Sequence, residues 1–358
     1  ALRAGWIAER NGDDARARIY RAVADHYQRN VKRWTLTTTG PLSEEPYFLR
    51  LSKNADPDSA FTYNLGNGGP DADQRAVVDA GFLELPRLGI LADDDPDVVR
   101  SLDVVDRVIR RPLTPTASVD GRYGFYRYGT ASEGTEDGYG DCWTGDPTDC
   151  TVEGKPWAGV CEAQAQNHGS GHLWPALAGE RGEHELASGR AGTARQLLAG
   201  MAGTASGIGL IPEQAWENPD LPPSPSGTPP QCASIGFSLG KAAGSASPLS
   251  WSAAQYVRLA TALADRRVPR RPADTTARYL DGAPERVDLA LTAPADGSVV
   301  ERTVAVAGTT EPGATVDVSA VNVDLDGAAT VTTTTAGEDG AFSVEVEVPP
   351  GTAELTAT

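Results

Sequence analysis

The stretch Gly171–Leu186, GHLWPALAGERGEHEL, and the later Ile211–Glu217, IPEQAWE, decide how the rest of the chain is read. Leu173 to Glu185 is expected to be a helix. Glu180 and Glu183, three apart on it, would share one face. The second stretch reads as a loop: the apolar segment Gly207–Ile211 leads in, Glu213 follows and Trp216 comes next, so a carboxylate would stand beside an aromatic wall. Taken alone, PEQ describes any solvated loop glutamate, and amphipathic periodicity identifies no activity.

Outward from these stretches, the recognisable elements up to about residue 266 are helices separated by long glycine-rich loops. From Asp13 to Val31 the apolar positions Ala15, Ile19, Ala22, Val23 and Tyr27 recur at helical spacing and leave a charged opposite face. Asp71 and Gln74 predict a capping box before Val77, Val78 and Phe82. Asp95 and Pro96 predict a cap and a first-turn proline for a helix carrying Val98, Val99, Leu102, Val105 and Ile109 inward. Ser247 and Pro248 predict a similar start before Ala253, Tyr256, Val257, Ala260 and Leu263. With Ala191–Ala205 this gives roughly six or seven helices, counting one already under way at ALRAGWIAERNGDD. That opening leads to the expectation that sequence upstream of Ala1 has been lost, so the lack of a targeting segment says nothing of export.

Between Arg266 and Arg286 the chain becomes rich in arginine and proline, and then the period changes. Thr303–Ala307, Thr315–Ala320 and Ala341–Val348 alternate small polar with apolar residues, punctuated by Gly297, Gly313, Gly327 and Gly340, which reads as a β-sandwich. The expected architecture is mainly α followed by all-β. Its expected parts are a helical portion over 1–266, a connection over 267–286 and an accessory sandwich over 287–358, immunoglobulin-like and cut short at its end.

The 358 residues carry a formal charge of -18, which repels nucleic-acid phosphates and anionic lipid but not a neutral sugar. No apolar run is long enough to span a bilayer. Cys161, His168 and His172 are close in sequence, but glycines between the histidines and the lack of HExxH argue against zinc. There is no EF-hand, although loop aspartates and carbonyls suit a structural calcium ion. No P-loop, dinucleotide fingerprint or GxSxG elbow is present, and no cofactor is required by any motif. Cys142, Cys150, Cys161 and Cys232 permit three complete pairings, with buried free thiols as the alternative.

GHLWPALAGERGEHEL, IPEQAWE and, in the same order, Ser245–Leu263 (SASPLSWSAAQYVRLATAL) resemble active-site segments of bacterial glucoamylases and glucodextranases, glycoside hydrolase family 15. The resemblance covers nearly all of residues 1–266. It implies an (α/α)6 toroid of six helix pairs, of which this chain would hold the later half. It also implies an inverting hydrolase that releases glucose from the ends of α-glucans, with malto- or isomalto-oligosaccharides as partners and an extracellular or cell-surface location. Glu213 falls at the family's catalytic base. Tyr126–Gly140, YRYGTASEGTEDGYG, resembles a family loop reading RYNGDGYG, with an insertion between its halves. That mapping makes Arg127, Tyr128, Asp137 and Tyr139 sugar contacts, because guanidinium and carboxylate groups grip neighbouring hydroxyls directionally. The indoles of Trp143, Trp157, Trp174, Trp216 and Trp251 suit the apolar faces of glucose, with core packing as the competing role for Trp174 and Trp251.

Inversion needs two carboxyl groups, and the acidic pair beside a Trp that usually supplies the acid is not in this sequence. Glu180, Glu183, Glu185, Asp137 and Asp141 are the remaining candidates. The GERG segment resembles a structural feature beside the pocket rather than the acid. The expectation is therefore a general acid upstream of Ala1 and little activity from this chain alone. A noncatalytic carbohydrate-binding or cell-surface protein derived from such an enzyme is the alternative of a different class. A trehalase or maltodextrin hydrolase is the alternative within the family.

Overall fold

The computed structural model describes residues 1–53, 55–65, 71–130, 172–217, 220, 223, 226–227, 236–243, 245–268, 271–282, 288–323 and 330–358. They divide into two compact units, one of 1–29 with 281–358 and one of 30–280. Among the described residues the longer helices are α1 (Leu2–Arg10), α2 (Asp14–Thr35), α3 (Pro96–Val108), α4 (Pro175–Ala187), α5 (Ala191–Thr204) and α6 (Ser250–Asp265).

The unit of 30–280 is built around α4, which packs on α5 and α6. Pro175 opens α4 at a position where a missing N–H costs nothing, and Gly189, at positive φ, lets the chain leave it and turn into α5. Nine of the 13 residues of α4 are buried, including Arg181, Glu183, His184 and Glu185. Such a helix can be approached on several sides because two of its residues lack a Cβ. A methyl at Gly179 would overlap Gln255 Cγ and press on Met201, and one at Gly182 would overlap Leu259. Val98, Leu102, Val105 and Ile109 of the α3 region join Phe125, Leu173, Leu197, Met201 and Leu259 in one core.

Asp95 caps α3 by accepting from Asp97 N at 3.0 Å, with Pro96 in the first turn, as the sequence predicts. The expected capping box at Asp71 and Gln74 is corrected. Asp71–Asp73 is a strand paired with Thr62–Asn64, and a single 3-10 turn follows. Gln74 is fully buried and spends its amide on the main chain of a loop, accepting from Lys53 N and donating to Asp56 O and Ser59 O. The start predicted at Ser247 and Pro248 is also later than expected. Leu249 N–H is drawn off to Ile211 O, so α6 begins at Ser250.

The region expected to be a connection holds a short helix, Ala273–Thr276, continued by a π-helical turn, Ala277–Asp281. In the other unit, six strands follow: β1 (Ala290–Ala293), β2 (Thr303–Thr309), β3 (Thr315–Asn322), β4 (Thr330–Thr335), β5 (Ala341–Glu347) and β6 (Ala353–Ala357). They form two antiparallel three-stranded sheets, ordered β5-β2-β1 and β4-β3-β6. Alternate residues Val306, Val316, Val318, Ala320, Phe342 and Val346 supply a core shared by both sheets.

Gly179→Ala is expected to destabilise the unit of 30–280 by about 1–3 kcal/mol through overpacking, even though alanine is the better helix former by about 1 kcal/mol. Urea denaturation checks this; an unchanged or higher midpoint would show that Gln255 and Met201 yield without cost.

Candidate active site

The quoted stretches meet at one antiparallel bridge, between residues 42 positions apart in sequence. Leu173 and Ala215 exchange both main-chain hydrogen bonds, at 3.2 and 2.7 Å, and Ala215 also bridges Ala242. Glu213 lies two residues before this bridge. Its N–H bonds to Ala246 O at 2.8 Å, while its Oε2 accepts from Ala246 N at 3.3 Å. Gln214 N is held by Ser245 Oγ at 3.0 Å. The candidate base is therefore partly buried on a loop fixed from two sides, by the segment that leads into α4 and by the segment that leads into α6.

A bridge sends neighbouring side chains of both strands to one face. His172 thus stands opposite Trp216, and its main-chain N donates to Gln214 Oε1 at 2.9 Å. The His172 ring lies 4.9 Å from that of Trp216. At the loop's end Glu217 accepts from Tyr126 Oη at 2.9 Å and from His172 Nδ1 at 3.0 Å. With only 1% and 3% of the His172 and Glu217 side chains exposed, this is a buried polar tie between three separate segments. Nδ1 carries the proton, because a carboxylate only accepts.

Trp174 follows the bridge. Its ring lies 5.8 Å from that of Trp251, and the Arg127 guanidinium stands 5.3 Å from it on an exposed side chain. Trp251 is 42% exposed and donates to Glu180 Oε1 at 3.3 Å. Glu213, Trp174, Trp251 and Arg127 are thus brought to one neighbourhood. Trp216 is corrected from a sugar contact to a packing residue: it is 0% exposed and stacked on Phe237 at 4.7 Å. Tyr128 is likewise buried, donating to Leu65 O and carrying the Arg50 guanidinium on its ring at 3.4 Å. Asp137, Tyr139, Trp143, Trp157, Asp141 and the four cysteines lie outside the described residues, as does His168.

Glu180 and Glu183 do share a face and line one cavity with Glu84, Arg87, Asp93 and Arg258. Arg258 grips both Glu183 oxygens at 2.6 and 2.8 Å, and Gln255 donates to Oε1 at 2.7 Å. Among the described residues Glu180 has only Arg87, 3.9 Å away, as a counter-charge. Burial therefore raises its pKa to about 7, and the neighbouring carboxylates Glu84 and Glu183 add to the rise. Glu185 faces Arg181 and Arg190 instead, and their hydrogen bonds and charge hold its carboxyl below the usual range against the cost of burial. Among the described residues no three His, Cys, Asp or Glu side chains form a metal site, and no helix is long and apolar enough to cross a membrane.

Residues 1–261 match the family described as Glycosyl hydrolases family 15. The chain belongs to this family. It is 33% identical over 279 residues to a glucoamylase of Clostridium sp. (strain G0005), an alignment covering 77% of this chain and 32% of that protein. A bacterial glucoamylase solved in complex with acarbose superposes with a TM-score of 0.59 at 33% identity, covering 78% of this chain and 34% of the other. The family 15 chain thus spans about a third of the length of these relatives.

Motif reading weighed His172 only as a zinc ligand and did not single out Tyr126, Gln214 or Glu217, although Gln214 and Glu217 stand inside the second quoted stretch. No spacing rule pairs a histidine with a glutamate 45 positions away.

Replacing Glu217 by Leu is expected to destabilise the protein by about 3–5 kcal/mol, since His172 and Tyr126 lose a buried partner together. Tyr126→Phe removes one hydrogen bond and should cost about 1 kcal/mol. Chemical denaturation of both variants distinguishes this tie from simple packing, which would make the two costs alike. A second expectation concerns pH. Folded, Glu180 keeps its proton to about pH 7, whereas unfolded it releases it near 4.5. The unfolded state therefore gains on the folded one as pH rises through that window. Relative to Glu180→Gln, the wild type should lose stability between about pH 5 and pH 8, and parallel denaturation curves would refute the assignment.

Proposed function

We propose that the protein carrying this chain is an inverting, exo-acting α-glucosidase that releases β-D-glucose from the non-reducing ends of α-glucans, with Glu213 as its general base. The observation that supports this reading most directly is the Glu213 loop, locked to the entrances of α4 and α6 beside the Trp174–Trp251 pair. Glu213 would take a proton from the water that attacks the anomeric carbon, and the indoles would lie against the apolar face of the sugar. Arg127 would hold hydroxyls. The solved relative's bound acarbose supports an oligosaccharide ligand.

The general acid belongs, on this proposal, to sequence outside residues 1–358, consistent with the third of each relative that is matched. It would stand about 6.5–9.5 Å from Glu213, leaving room for the water. The helical residues 1–266 would then complete an (α/α)6 toroid, with 267–286 as the connection and 287–358 as an immunoglobulin-like accessory module. Export to the cell surface or medium fits the same reading. The names of the two relatives favour α-1,4 linkages. A β module following the helical region favours glucodextranase-like α-1,6 cleavage, and we take the latter as the preferred linkage.

Glu213→Gln in the native protein should leave the fold intact and lower kcat about 10²–10⁴-fold with little change in KM, because the amide cannot take the water's proton. A near-wild-type kcat would mean that the base lies elsewhere. NMR in the first moments of hydrolysis should show β-glucose, since a single displacement flips the configuration, and initial α-glucose would exclude inversion. Initial rates on maltose and isomaltose in the same assay give the linkage. Residues 1–358 by themselves should release negligible glucose, whereas turnover at about 1 s⁻¹ or more would place both carboxyls within this chain.

A further inference from the structure

Val78 and Gly129 form a second antiparallel bridge, with main-chain bonds of 3.1 and 3.0 Å. The pairing sets Asp79 opposite Tyr128 and next to Arg127 along the facing strand. Oδ1 of Asp79 accepts from Gly81 N at 2.8 Å. Two guanidiniums act on the carboxyl through space, those of Arg50 and Arg127, yet among the described residues neither closes on it as an ion pair. Each arginine is instead laid on an aromatic ring, Arg50 on Tyr128 at 3.4 Å and Arg127 on Trp174 at 5.3 Å.

This differs from the neighbouring aspartates. Asp73 is closed on Arg75, Asp106 on Arg181 and Arg110, and Asp95 with Asp97 on Lys32. Those pairs are self-contained and offer a ligand little. At Asp79 the carboxylate accepts from Gly81 N, and of the two arginines that act on it Arg50 gives one N–H to Leu65 O at 3.4 Å, which leaves further donors on both guanidiniums. The arrangement suits adjacent hydroxyls of a neutral sugar, one donating to the carboxylate while its neighbour accepts from a guanidinium. The position fits as well. Trp174, under Arg127, directly follows the residue that bridges Ala215, two residues from Glu213.

We propose that Asp79, oriented by Arg50 and Arg127, is a substrate-binding carboxylate that recognises a hydroxyl of the glucosyl unit presented to Glu213. The assignment rests on the glucosidase reading for the identity of the sugar, but its geometry is that of a polyol site in any case. Asp79 moves no proton in the reaction. It accepts a hydrogen bond from the sugar and so fixes the ring relative to the base. Burial raises its pKa to about 6, which is the cost of keeping a carboxyl away from close counter-charges.

The test uses the native protein, Asp79→Asn and Asp79→Glu, with maltose, isomaltose and analogues lacking one hydroxyl at a time on the non-reducing glucose. Asn keeps an oxygen for Gly81 N–H, so the local turn should survive, and thermal melting verifies that it does. Asp79→Asn is expected to lower kcat/KM by about 10–100-fold on the complete sugars. It should lose nothing further on the one analogue whose missing hydroxyl it recognised. Asp79→Glu, with its carboxylate displaced, should show the same loss of coupling. Wild-type kcat/KM in both variants, or equal losses on every analogue, would overturn the proposal and mark Asp79 as structural. Titration of glucose and isomaltose into Glu213→Gln, with and without Asp79→Asn, separates the two readings. If Glu213 is not the base, weaker sugar binding on adding Asp79→Asn still supports the Asp79 assignment, and unchanged binding still overturns it.

Discussion

The burial of a charged helix is the constraint from which the larger unit follows. Arg181, Glu183 and Glu185 of α4 are removed from water, a transfer that costs several kcal/mol per ion unless each finds a close partner. Their partners come from distant segments: Asp106 at the end of α3, Arg258 and Gln255 on α6, and Arg190 beyond the following turn. These elements cannot drift from α4 without stranding a charge. Gly179 and Gly182 make the same demand sterically, since Gln255 and Leu259 occupy the volume their side chains would take.

The candidate site inherits that rigidity. Trp174 is the residue before α4 and Leu249 the residue before α6, and both segments are bonded to the loop of Glu213. A carboxylate on a loop is ordinarily mobile, and a base must be held to a fraction of an ångström to act efficiently. Here the loop is bonded to the ends of two packed helices, and the Glu217–His172–Tyr126 tie pins its far end. Stability and proposed chemistry therefore share residues, and substitutions behind the loop should be felt at Glu213.

Environment also divides the acidic residues by task. Glu183 and Glu185 lie close together on one buried helix and are closed by arginines, so they serve the fold. Glu180, one turn from Glu183, has Arg87 no nearer than 3.9 Å and receives the indole N–H of Trp251. Asp79 feels two arginines, each of which lies on an aromatic ring and not in an ion pair with it among the described residues. Glu180 and Asp79 both keep acceptor capacity that no ion pair among the described residues consumes.

Much of this was legible in the sequence. The period of 3.6 with Asp95 and Pro96 set α3 to within a residue, the alternation after residue 286 marked β2, β3 and β5, and the order of GHLWPALAGERGEHEL, IPEQAWE and SASPLSWSAAQYVRLATAL carried the family. These are local signals, written in neighbouring residues, and so they survive in one dimension. Side-chain fate did not. Asp71 and Gln74 have the spacing of a cap, but Gln74 found better partners in a loop about twenty residues earlier. Trp216 and Trp251 look alike as exposed-loop or helix-start indoles, yet one is sealed against Phe237 and the other half open, because burial depends on what the rest of the chain packs over each ring. The sequence by itself determined the main helices, the change from helix to strand and the family to which the chain belongs. Only the tertiary structure decided which carboxylates are spent on ion pairs and which remain free to meet a ligand, because a partner at 3 Å can lie anywhere along the chain.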